Sequence, residues 1–233
     1  GHRPSEIINR NKEQFTYDKM GNVTSLRRYD NSGSLTDDLS FSYSGNQISA
    51  VTDAAGSQSV FNLKEYRDLS DAPVQFTYDA NGNPVTDLDR DVVTIKYNLL
   101  NLPDTIQFRN GSQIINRYDA AGRKTLARYI ERRSATLAPI SLNPGEVYVF
   151  ASGDATEKRV YYGDNIQHHI DVQNPGLDYT SIHNAEGYTK VIYQSIYIPT
   201  TTYTFYCYRR DHLGNVREVR DVSNLTTVQR TQY

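Results

Sequence analysis

The chain has 233 residues, with 25 basic and 27 acidic side chains giving a net charge of −2, and 37% of it is hydrophobic. That is room for one large β domain and for no basic stripe that could follow a phosphate backbone, so nucleic acid is excluded as a partner. No apolar run approaches the length of a membrane span, and the lone Cys207 excludes an internal disulfide.

The chain starts Gly1-His2-Arg3-Pro4, without an initiator Met or a signal peptide, and reads as a piece cut from a longer protein whose export signal lies upstream. The first recurring feature is an Asp followed three positions later by Gly. It occurs six times, four of them directly after a Tyr: Tyr17-Asp18 to Gly21, Tyr29-Asp30 to Gly33, Tyr78-Asp79 to Gly82 and Tyr118-Asp119 to Gly122. Asp53 to Gly56 and Asp211 to Gly214 lack the Tyr. An Asp side chain accepts hydrogen bonds from backbone N–H groups just beyond it, and a Gly three positions on takes the positive φ that ends a tight turn. The unit is therefore punctuation between strands.

The flanks agree. Phe76 and Tyr78 alternate with Gln75 and Thr77, and Val93, Ile95 and Tyr97 alternate with Val92, Thr94 and Lys96. Leu102, Ile106 and Phe108 share one parity after a turn-like Asn98-Leu99-Leu100-Asn101. Period-two alternation rich in Tyr, Ile, Val, Phe and Thr predicts hairpins. Tyr78 and Tyr118 are 40 residues apart, and Tyr97 splits the interval into 19 and 21. A unit of about twenty residues cannot bury its own apolar face, so neighbours must stack. Outside this window the spacing is ragged. Residues 188–198 carry Val191, Ile192, Tyr193, Ile196 and Tyr197, whose β-branched content predicts strand.

The fold expected is all-β: a curled antiparallel sheet of successive hairpins, a partial shell or barrel-like strip. Residues 1–130 form the repeat region and 131–233 a continuing β region, in one continuous domain.

Candidate chemistry is sparse. Asp87-Leu88-Asp89-Arg90-Asp91 places three carboxylates on alternate positions, where a strand would crowd them onto one face suited to Ca²⁺. Without the Gly and bidentate Glu of a calcium loop it reads as a solvated hairpin turn, and no metal is assigned. His168 and His169 point to opposite faces of a strand and, with His183 and His212, show no ligand spacing. Arg27-Arg28, Arg132-Arg133 and Arg209-Arg210 read as solvated pairs, and Cys207 as a buried, inert thiol in an aromatic strand. With no phosphate loop, nucleophile elbow or Cys-His pairing, no catalytic residue and no cofactor is expected. The 19 Tyr keep a binding function open, since a row of them on one sheet face offers a glycan a stacking surface. Such rows more often pack inside a sheet.

Laid side by side, the repeats resemble the Rhs/YD-repeat family, most closely its versions in gut Bacteroidetes. Tyr118-Asp119-Ala120-Ala121-Gly122-Arg123 and Tyr78-Asp79-Ala80-Asn81-Gly82-Asn83 match the family unit. The segment Tyr208-Arg209-Arg210-Asp211-His212-Leu213-Gly214-Asn215-Val216-Arg217, within 203–219, is similar to the opening of the Rhs repeat-associated core. The resemblance spans Phe15 to Val219. It implies a spiralling strip of hairpins that, in full-length relatives, winds into a hollow shell around a C-terminal toxin or other cargo, and a secreted or cell-surface bacterial protein. Its implied partners are other segments of the parent chain. Relatives that release their toxin use an aspartyl-protease-like motif beyond the core, and none is visible before Tyr233. Sheet edges left by excision are expected to pair with neighbouring strands or with a second copy.

Overall fold

The computed structural model describes residues 9–55, 66, 68–133, 137–194, 200–210, 215–224 and 226–230. The fold is all-β: every strand pairing is antiparallel, the described residues hold no α-helix, and neither sheet closes into a barrel. The chain divides into two compact units, Gly1–Val92 and Val93–Tyr233.

In the first unit, β1 (Glu13–Tyr17), β2 (Val23–Tyr29), β3 (Leu35–Ser44) and β4 (Gln47–Asp53) form a four-stranded sheet in chain order. The hairpin β5 (Phe76–Tyr78) and β6 (Pro84–Asp87) follows, then a 3-10 turn at Leu88–Arg90. The core is Leu26, Leu39 and Val51, with Phe41, Ile48, Tyr66 and Phe76 packed against it. Leu39 and Phe41 alternate along β3, while the register shift in the β3–β4 pairing leaves Ala50 and Val51 buried in succession. Gln75, expected on the wet parity beside Phe76, is instead fully buried. Its Oε1 accepts the Val51 N–H at 2.7 Å, and its own backbone N–H donates to the Ser49 carbonyl at 2.8 Å. A buried amide is tolerated here because a strand end supplies it with partners.

The second unit is a meander in strict chain order. It runs through β7 (Val92–Tyr97, which begins at the boundary), β8 (Pro103–Phe108), β9 (Gln113–Tyr118), β10 (Lys124–Arg132) and β11 (Ala155–Gly163). It continues through β12 (Ile166–Asp171), β13 (Tyr179–Asn184), β14 (Gly187–Gln194), β15 (Thr200–Arg210), β16 (Val216–Asp221) and β17 (Thr227–Arg230). Gly187–Gln194 is strand, as its β-branched content predicts, while 195–198 lie outside the described residues.

Residues 137–154, between β10 and β11, cross the earlier strands. Gly145 N–H donates to the Val93 carbonyl at 3.0 Å, Leu142 N–H to Arg109 at 2.9 Å, and Tyr148 N–H to the Gln107 side chain at 2.9 Å. This crossing dries a face that alternation assigns to water, so Gln107 and Gln113 are buried and Val92, Val93 and Thr94 are buried in succession. Arg132 departs from the solvated reading for the same reason. It is buried, donates to the Ala138 carbonyl at 2.8 Å and lies 5.3 Å from the Tyr148 ring centre. Arg27, by contrast, is exposed and paired with Asp38. Cys207 is half-buried in β15 rather than fully enclosed.

Candidate functional site

The Tyr-Asp turns share one geometry. In each, Asp Oδ1 accepts the backbone N–H of the second and fourth residues beyond it at 2.8–2.9 Å, from Met20 and Asn22 to Asp18, Ser32 and Ser34 to Asp30, Asn81 and Asn83 to Asp79, and Ala121 and Arg123 to Asp119. The Gly N–H closes back on the Asp carbonyl, and the Asp N–H donates to the carbonyl four residues on. This is a three-residue hairpin loop ending in a left-handed residue, with a bulge where the strands resume. Gly21, Gly33, Gly82 and Gly122 have φ of 88°, 82°, 84° and 80°. The register shifts beside each turn, at Thr16/Tyr17, Arg28/Tyr29, Thr77/Tyr78 and Lys124/Leu126.

Hydrogen bonds lower the pKa of all four carboxyls, led by the side chains of Asn22, Ser32 and Asn83 for Asp18, Asp30 and Asp79, and by the Arg123 backbone for Asp119. Arg123 also pairs with Asp119 at 2.8 Å. A Cβ at Gly82 or Gly122 would meet only side-chain atoms, at 3.6 and 3.4 Å, so the cost of adding one is conformational. Gly82→Val or Gly122→Val should each destabilise by about 1–2 kcal/mol, the cost of a left-handed conformation for a β-branched residue. Urea melts of the double variant with an unchanged midpoint would refute this.

The Tyr before the turn has a task that spacing does not show. Tyr78 Oη donates to the Ile48 carbonyl at 2.9 Å and Tyr118 Oη to Pro103 at 3.0 Å, each pinning the turn to an earlier strand. Tyr17 is exposed and stacks on Phe15, and Tyr29 N–H donates to the Lys12 carbonyl. In the core-like segment, Tyr208 lies in β15 with its hydroxyl 3.2 Å from His183 Nδ1, Asn215 precedes β16, and Val216 and Arg217 open that strand. Asp211, His212, Leu213 and Gly214 lie outside the described residues.

Asp87 to Asp91 differ from the solvated turn expected. Leu88–Arg90 is a 3-10 turn capped by Asp87, whose carboxylate accepts Arg90 N–H at 3.2 Å and pairs with Arg90 Nη1 at 2.5 Å. Asp89 is turned inward and buried, and Tyr66 Oη donates to its Oδ2. Burial pushes the Asp89 carboxyl up, against the opposing pull of the Tyr66 hydroxyl and Ser70 backbone, while Asp68 and Asp87 raise it further. Burial and the Asp89 contact likewise push the Tyr66 phenol up. The turn borders a cavity of about 750 Å³ floored by Leu39, Phe41, Ile48, Val51 and Phe76. Among the described residues no group of three or more His, Cys, Asp or Glu side chains is placed to hold a metal ion.

In the second unit the histidines join an aromatic row. His169 stacks on Tyr179 at 4.2 Å between centroids, His183 on Tyr188 at 5.2 Å, and Tyr188 on Tyr206 at 4.5 Å. Burial pushes the Tyr188 phenol up to about 12, with Tyr206, Tyr179 and Tyr208 adding to it, and burial lowers His169 and His183. His168 bonds Thr180 and His169 bonds Ser181, neighbours on β13 that face opposite ways. These rings turn their faces to one another, which suits cross-strand packing better than a platform for sugars.

Nearby, Glu157 is clasped by Arg128 at 2.6 Å and Arg159 at 2.7 Å. The Arg128 hydrogen bonds hold its carboxyl down at about 2 against burial, with Arg159 assisting. A carboxyl depressed on folding contributes stability that is complete above its ordinary value, 4.5, and is lost as pH falls toward 2. Glu157→Gln should cost about 3 kcal/mol at pH 7, the equivalent of that shift, and almost nothing at pH 2. A pH-independent difference between the two melts would overturn the assignment.

What these elements define is a class of protein in which successive antiparallel hairpins are set by one recurrent Asp-Gly loop. Solved structures of TcdB2-TccC3 are similar to this chain in fold. TcdB2-TccC3-TEV matches at 15% identity with a TM-score of 0.59, the form without its hypervariable C-terminal region at 16% and 0.58, and TcdB2-TccC3 itself at 15% and 0.58. Each match covers 95% of this chain and only 9%, 9% and 10% of the other. The likeness shows the fold, an Rhs-like all-β array. No family model and no curated protein matches the chain.

Proposed function

We propose that this chain is a non-enzymatic β-repeat scaffold: a stretch of an exported bacterial Rhs/YD-repeat protein whose longer chain encloses or presents a C-terminal toxin or other cargo. One observation carries the reading. Nearly the whole chain matches about a tenth of a much longer chain, and in this chain the Tyr-Asp loops join successive strands. The repeated residues serve strand geometry: the turn carboxylates accept backbone N–H groups, and the Tyr78 and Tyr118 hydroxyls donate to carbonyls. Its partners are other segments of the same longer chain. β1, exposed along its length, is an edge onto which a further hairpin can add, or through which two copies associate. The described residues contain no helix long and apolar enough to cross a membrane.

The test is to read the coding frame beyond both ends and to age the purified protein at pH 7 and pH 5. Further Tyr-Asp loops in frame, a distinct C-terminal domain and a single intact mass support the scaffold. A frame that ends at both termini, or a defined internal cut, overturns it.

A further inference from the structure

We propose that the cavity beside the Leu88–Arg90 turn binds an organic ammonium ion carried on an apolar body, with Asp89 as its counter-ion. The side chain of Asp89 lines this cavity, and the residue is 2% exposed. Its Oδ2 takes the Tyr66 hydroxyl and the Ser70 backbone also pulls on the carboxylate, whereas Oδ1 has no donor in hydrogen-bonding geometry among the described residues. A buried carboxylate oxygen without a donor is costly, and it marks a place where a donor from outside the protein is missing.

Among the described residues, the charges around it do not supply that donor. Arg90 is committed to Asp87, and Arg28 is held 3.2 Å from both Asp37 and Glu13. Two further carboxylates lie nearby: Asp68 accepts the Asp53 N–H at 2.9 Å and adds negative potential, and Asp91 lines the same cavity. Among the described residues the two arginines are thus paired with other acids, and neither is committed to Asp89.

The rest of the lining selects among cations. Leu39, Phe41, Ile48, Val51 and Phe76 offer apolar contact and two ring faces, which attract an ammonium and its carbon body alike. A hard divalent ion would need six or more oxygens, which these five apolar side chains do not supply, and among the described residues no group of three or more His, Cys, Asp or Glu is placed to hold one. About 750 Å³ is the size of a small-molecule site. A compact arylalkyl ammonium fits both requirements, its nitrogen donating to Asp89 Oδ1 and its ring lying on Phe41 and Phe76.

The full chain should be titrated with 2-phenylethylammonium, neutral 3-phenylpropanol and 3-phenylpropionate by calorimetry, with binding followed in amide NMR spectra. The ammonium is expected to bind at least about tenfold more tightly than the alcohol, as a charge-assisted hydrogen bond requires, and the carboxylate not at all. Its signals should move at Phe41, Tyr66 and Phe76. Affinity should fall as pH drops through the titration of Asp89, which its burial and the neighbouring Asp68 and Asp87 set above the ordinary carboxylate range. Asp89→Asn should lose about tenfold for the ammonium and little for the alcohol. Equal affinity for ammonium and alcohol, no saturable binding of the ammonium, or undiminished affinity in Asp89→Asn overturns the proposal. The three-ligand comparison on the unaltered protein decides it even if the variant does not fold.

Discussion

Gln107→Leu is expected to destabilise the protein by about 3–5 kcal/mol, although the side chains are close in volume, because several buried polar groups lose a partner at about 1–3 kcal/mol each. Gln107 is fully buried and fully used. Its Oε1 accepts the Tyr148 N–H at 2.9 Å and Gln113 Nε2 at 2.7 Å, and its Nε2 donates to the Phe108 and Ser112 carbonyls at 2.9 and 3.2 Å. Leu can satisfy none of these. The loss should appear as a lower urea midpoint, together with fast amide exchange at Tyr148, whose crossing segment loses its anchor. A midpoint within the spread of surface substitutions would mean that water replaces the amide and that the crossing is held elsewhere.

Gln107 also shows where the sequence stops being legible. The Asp-Gly loops could be read directly because their chemistry is local: one carboxylate, two N–H groups and one left-handed residue fall within five positions. Asn98 extends the rule. Its Oδ1 accepts Leu100 and Leu102 N–H just as the aspartates do, and Asn101 takes the left-handed place with φ of 60°. The loop from Phe108 to Ser112 has the same backbone closure and was not marked by an Asp, its signal being the Asn110-Gly111 pair.

Burial was harder to read, for two physical reasons. Each loop adds a bulge, so parity counted through a turn slips by one residue and predicts the wrong face. A segment far along the chain then decides which face is dry, as 137–154 does for Gln107 and Val93, and the run before β5 does for Gln75. The Asp89 cavity draws its walls from Arg28 to Asp91 by way of β2, β3, β4, Tyr66 and Leu69. No spacing rule gathers such residues, and Asp87 to Asp91, read as a solvated hairpin turn, gave no sign that a 3-10 turn would bury Asp89.

Gly187→Ala should be at least as damaging, by a different route. Gly187 is opposite Cys207 at the start of the β14–β15 pairing, and an added Cβ would lie 1.9 Å from the Tyr206 carbonyl oxygen and 2.9 Å from Cys207 Cα. Both obstacles are backbone, so no side chain can rotate aside and the strands must separate. The Tyr208 N–H bond to the Glu186 carbonyl at 2.7 Å and the Tyr188–Tyr206 stack at 4.5 Å are the first interactions at risk. Forcing a methyl into a closed backbone contact costs about 3 kcal/mol or more, at the upper end of overpacking. Gly145→Ala provides the contrast: its φ is 89° with open space around the added carbon, so only the conformational cost of about 1–2 kcal/mol applies. Thermal melts should therefore rank Gly187→Ala well below Gly145→Ala, with Tyr208 amide exchange accelerated in the first alone. The reverse ranking would mean that β14 and β15 do not approach so closely at Gly187, and that the aromatic row is held by its rings more than by its ladder.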